Sequence, residues 1–208
     1  MSHAATRIIL EEHAALSAML RSILMLLAQH RHQATLPDFA HLRAMLFYVG
    51  EFPEQRHHRK ESELLFPKLR ARTPMSRDLL DHLDEDHARG ERNIRELEHA
   101  LLAFEMMGEP RRQRFEQAAQ RYVDFYLAHM ALEEREILPL AERVLTDDDW
   151  AQLDEAFGAN RDPLTGHEPE AQYRALFTRI VNLVPAPIGL GSRMPGAESE
   201  NPRHPGRN

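Results

Sequence analysis

The chain contains no cysteine among its 208 residues. Disulfides, zinc–thiolate sites, iron–sulfur clusters and cysteine nucleophiles are thereby excluded, so any metal must be held by nitrogen and oxygen. Long apolar runs are missing too: the stretch Ile23-Leu24-Met25-Leu26-Leu27 is far short of the roughly 20 residues a membrane-spanning helix needs. Positive charge is scarce. The formal net charge is -7 and basic runs such as Arg111-Arg112 are short, which argues against a nucleic-acid partner. Residues Met1 to Thr6 lack the basic-then-apolar layout of a signal peptide, so the expectation is a cytoplasmic protein with no membrane partner. Strand-like alternation is absent as well. What the chain has in quantity is histidine, 13 in all.

Apolar residues recur instead at spacings of three and four, the mark of buried helix seams. Ile9, His13, Leu16, Leu20, Ile23 and Leu27 predict a first helix from about Thr6 to His32. A second runs from the Leu36-Pro37-Asp38 turn to about Arg70, with a kink or break expected between Gly50 and Pro53. Leu80, Leu83, His87, Gly90, Ile94, Leu97 and Leu101 give the third; Tyr122, Phe125, His129, Glu133, Ile137 and Leu140 give the fourth. Thr146 followed by three aspartates starts a short helix, and Glu170 to Leu183 forms a last one. The expected fold is all-α: an antiparallel four-helix bundle over residues 1–145 and a helical extension over 146–184. A disordered tail is expected over 185–208, which is rich in Pro, Gly and Ser.

One pattern occurs twice. His57 is followed by Glu61 and Pro67, and His129 by Glu133 and Pro139, at matching intervals of four and ten residues. Positions four apart on a helix share a face, so each copy offers an imidazole and a carboxylate to one point. Each copy is also preceded by a seam histidine: His13 lies 44 residues before His57, and His87 lies 42 before His129. A lone HxxxE pair is more often a surface ion pair, but two matched copies with seam histidines reverse that weighting. Buried carboxylates are costly unless cations neutralise them. His13, His57, Glu61, His87, His129 and Glu133 are therefore the candidate metal ligands. Mixed nitrogen and oxygen donors suit iron, manganese or zinc, and favour non-haem iron. Two glutamates in a symmetric arrangement suggest two metal ions, each glutamate able to bridge. His58 has Ser62 four residues on and is expected to face away.

These residues, with the Leu64-Leu65-Phe66-Pro67 and Ile137-Leu138-Pro139 continuations, resemble the hemerythrin-like, or HHE cation-binding, domain family over about residues 6–145. The resemblance implies two non-haem iron ions bridged by Glu61 and Glu133, with zinc or manganese as possible substitutes. It also implies a small diatomic or peroxide as the ligand (O₂, NO or peroxide), in sensing or stress defence. The chain departs from oxygen-carrying hemerythrins, whose third helix carries two histidines one turn apart: His82 is five residues from His87, and the positions one turn away are Leu83 and Glu91. Two non-catalytic alternatives remain open, iron storage or donation and a metal-stabilised helical interaction module. Relatives that repair iron–sulfur clusters usually carry a cysteine-containing segment, which this sequence lacks. Nothing in the sequence names a protein partner.

Overall fold

The computed structural model describes residues 3–183; the expected tail lies outside the described residues. Four long helices form the bundle: α1 (Ala4–His32), α2 (residues 39–72), α3 (Arg77–Met107) and α4 (residues 109–144). Two shorter ones follow, α5 (Asp147–Gly158) and α6 (Arg174–Leu183). No strand occurs among the described residues.

Asp38 caps α2 by accepting from the Ala40 N–H, and Thr146 with Asp149 forms a reciprocal capping box at α5. Ser76 stands at the N-terminus of α3, but its hydroxyl makes no cap bond; Thr73 instead accepts from the Met75 N–H in the preceding turn.

Neither α2 nor α4 breaks at its prolines. The helices widen locally, so that His58 N–H donates to the Pro53 carbonyl, Phe66 N–H to Glu61 and Leu138 N–H to Glu133, each five residues back. A proline ring collides with the carbonyl four residues earlier and has no N–H to offer it. One wide turn inside Gly50–His57 and others just before Pro67 and Pro139 relieve that conflict without ending the helix.

The interior has three storeys. At one end Leu20, Ile23, Leu27, Leu42, Leu46, Leu101, Phe104 and Phe115 form an apolar cluster. At the other, Ala5, Ile9, Leu65, Phe66, Leu80, Leu83, Ile137 and Leu138 form a second. The start of α1 thus meets the end of α2, the start of α3 and the end of α4, which makes the bundle up-down-up-down. Trp150, Leu153 and Phe157 of α5 join the second cluster, and Phe177 and Ile180 of α6 join the first. Between the two clusters lies a layer of buried histidines and carboxylates.

Candidate metal centre

All six residues singled out by spacing meet in that layer. His13, His57, Glu61, His87, His129 and Glu133 are each 8% exposed or less. His13 and His57 bring their Nε2 atoms to 3.1 Å, and His87 and His129 bring theirs to 3.0 Å. The glutamates stand between these pairs. Glu61 places one oxygen 3.2 Å from His57 Nε2 and the other 3.5 Å from His87 Nε2. Glu133 places one oxygen 3.5 Å from His13 Nε2, and the other 3.3 Å from His129 Nε2 and 3.6 Å from His87 Nε2. Each carboxylate therefore serves both histidine groups.

The expectation for His58 is overturned. It is 2% exposed, and one of its ring nitrogens lies with a Glu61 carboxylate oxygen and ring nitrogens of His87 and His129 in a group whose members are all within 4.8 Å of one another. The cause is the wide turn at Gly50–His57: bonding five residues back winds the chain less per residue, so His57 and His58 both turn inward. Pro53, inside an otherwise helical stretch, was the available signal. His82, by contrast, is more than half exposed, pairing with Asp86 at 3.6 Å, and Glu91 pairs with Arg95 on the surface. Neither enters the layer.

The centre thus has two unequal halves sharing Glu61 and Glu133: His13 with His57, and His58 with His87 and His129. Every one of the five imidazoles turns Nδ1 outward to a polar partner. His13 meets Glu134 at 3.0 Å, His57 meets Glu12 at 2.7 Å, His58 meets Glu54 at 3.3 Å, His87 meets Ser62 at 2.8 Å and His129 meets Asp86 at 3.6 Å. For His13, His57, His58 and His87 these are hydrogen bonds, which fix the tautomer that leaves Nε2 free for a ligand; His129 Nδ1 faces Asp86 beyond hydrogen-bond distance. The duplication extends to them. Glu12, next to His13, serves His57, and Asp86, next to His87, serves His129. Glu54 also accepts from Tyr122 and Tyr126, whose rings wall off the three-histidine half.

Charge balance sharpens the picture. Burial alone would lower His57, yet Glu61 and Glu12 hold it well above the ordinary histidine value. His129 is likewise raised, to about 10: Glu133 and Asp86 outweigh its burial. Burial would raise Glu133, but His129 and its neighbours draw it well below the usual carboxylate range. His58 behaves oppositely, pushed well below its ordinary value by burial and by the neighbouring His87, His57 and His129. A neutral His58 has an unshared electron pair on Nε2, and that atom has no hydrogen-bond partner. The same is true of one Glu61 oxygen and both Glu133 oxygens. Buried polar atoms left unpaired need a cause, and cations between these donors supply one. Cations bound there would displace protons from the imidazoles.

These features define a class: an all-α bundle whose buried layer of imidazoles and carboxylates is suited to binding cations. The family model described as Hemerythrin HHE cation binding domain matches residues 4–141, and the chain belongs to that family. No curated protein and no solved structure matches the chain. No helix among the described residues is long and apolar enough to cross a membrane.

Proposed function

We propose that the chain holds two cations, normally iron, bridged by Glu61 and Glu133, and that it binds or reacts with a small diatomic or peroxide. His13 and His57 hold one ion; His58, His87 and His129 hold the other. The observation that carries this reading is the division of each glutamate's two oxygens between the two histidine groups. Iron, when bound, supplies one-electron redox chemistry and an affinity for O₂ or NO.

The remaining chemistry belongs to the protein. With the shared carboxylates, the two-histidine half offers four donor atoms and the three-histidine half five. The first half would therefore hold an ion with fewer protein donors and leave it more open to an outside ligand. A cavity of about 10 Å³ touches His13 and His57, walled by Phe52, Pro53 and Arg56; that is close to the lower limit for one water molecule. Its size favours a diatomic or peroxide over any larger substrate. The burial of every donor favours retention of the metal over donation to a partner.

Elemental analysis and optical spectra of protein purified without oxygen and then exposed to air, NO or hydrogen peroxide test the proposal. Two irons per chain and a new near-ultraviolet band on exposure are expected. Stoichiometric zinc without spectral response would remove the redox role, and a folded, heat-stable, metal-free chain would remove the ligand assignment.

A further inference from the structure

His57 is held through a chain of contacts that leaves the matched family region. Its Nδ1 lies 2.7 Å from Glu12 Oε2, and the same oxygen accepts from Asn160 Nδ2 at 2.9 Å. Asn160 Oδ1 accepts from Lys60 Nζ, which also donates to the Ala156 carbonyl at 2.6 Å. Asn160 is 2% exposed and Glu12 7%. Asn160 follows the C-terminus of α5, its own N–H bonding back to Phe157. The family match ends at residue 141. The outward partners of the other four histidines, Glu134, Glu54, Ser62 and Asp86, all lie within it. At the place equivalent to Glu12, Asp86 has Arg89 and His82 of its own helix beside it.

We infer that Asn160 is a positioning residue for the two-histidine half of the centre. A carboxylate oxygen that accepts from two donors cannot turn freely, so the Asn160 amide fixes the Glu12 oxygen on which His57 rests. His57 is thereby locked with Nε2 inward. Through this contact the helical extension becomes part of the metal site: packing of α5 on α1 delivers Asn160, and Lys60, one residue before Glu61, clamps it in place. The three-histidine half needs no such help. The inference rests on the two-cation reading above.

Cobalt(II) titration of the full-length, metal-free chain, followed by its visible bands and by calorimetry, tests this. Asn160→Asp is the informative variant, because it keeps an acceptor for Lys60 and replaces the N–H donor with an oxygen facing Glu12. Expected is binding weaker by about 10- to 100-fold at one of two cobalt ions, the other staying at wild-type affinity. The weakened ion is the one whose band is missing from His13→Ala. Asn160→Ala gives a smaller loss at the same ion. Unchanged affinities in Asn160→Asp would overturn the inference, as would equal weakening of both ions. A wild-type chain that binds fewer than two cobalt ions would overturn the two-cation reading and this inference with it.

Discussion

The two halves of the metal centre come from the same repeated motif and differ in what encloses them. His58, His87 and His129 sit against Tyr126 and Phe66, with Glu54 buried behind His58 and bonded to two tyrosines. His13 and His57 face a half-exposed Glu134, a one-water cavity and a wall borrowed from the extension. Duplication supplied two equal half-sites, and packing made them unequal. One half offers five protein donors and is sealed by aromatic rings; the other offers four and has room beside it. On the two-cation proposal, such a frame would give one structural position and one position open to a small ligand.

The largest blow to that comparison is Glu133→Ala, because Glu133 belongs to both halves. Metal content is expected to fall from two ions to less than one per chain, and chelation should no longer lower the melting temperature of the purified protein. If this variant still held two ions, the carboxylate would not bridge.

His58→Ala and His13→Ala come next, each striking one half. Each is expected to leave about one tightly held cation, with different spectra for the two survivors; loss of the His58 imidazole also leaves Glu54 with its two tyrosine donors alone. Wild-type stoichiometry and affinity in His58→Ala would make the two halves equivalent after all.

That His58 needs such a test shows where sequence reasoning stopped. The α3 seam from Leu80 to Leu101 is buried as its spacing requires, and His13, His87 and His129 lie on stretches that ordinary helical periodicity governs. Periodicity fails at Gly50–His57, where Pro53 widens the helix and adjacent histidines both face inward. The outward acids were visible only as neighbours, in Glu12-His13 and Asp86-His87; that each serves the next helix's histidine is a tertiary fact. Asn160 lies 148 residues from Glu12 in the chain, beyond the reach of any local pattern.

A smaller effect separates the walls. Gly90 of α3 is where Tyr126 approaches: an added Cβ would overlap the Tyr126 hydroxyl and stand 2.7 Å from its ring carbon Cζ. Gly90→Ala is expected to cost about 1–3 kcal/mol as an overpacking substitution and to weaken only the three-histidine half, since Tyr126 stacks on His58. Tyr126→Phe removes the nearer of the two collisions and should recover part of that loss in the double variant. Denaturant unfolding of the four proteins measures the coupling, and additive losses would mean that the two residues do not meet.

The smallest predicted effect concerns the wall of the two-histidine half. Asp162 lines the same small cavity as His57 and accepts from Tyr48 O–H at 2.6 Å and from Leu164 N–H at 2.9 Å. Burial nevertheless pushes its carboxyl up to about 6, against about 3.9 in an unfolded chain. The folded state therefore binds this proton more tightly, so the contribution to stability is full below pH about 4 and is lost as the pH rises through about 6. Two pKa units set a ceiling of roughly 3 kcal/mol on that loss. Asn at this position keeps an oxygen for Leu164 and turns its amide toward the Tyr48 oxygen, a re-pairing that costs part of the gain. Asp162→Asn is expected to be about 1 kcal/mol more stable than wild type at pH 7.5 and no more stable at pH 4. Denaturant unfolding of the metal-free proteins at several pH values measures this difference. A gap that does not change with pH would mean that Asp162 ionises without cost, and that the two-histidine half has a wetter wall than its burial indicates.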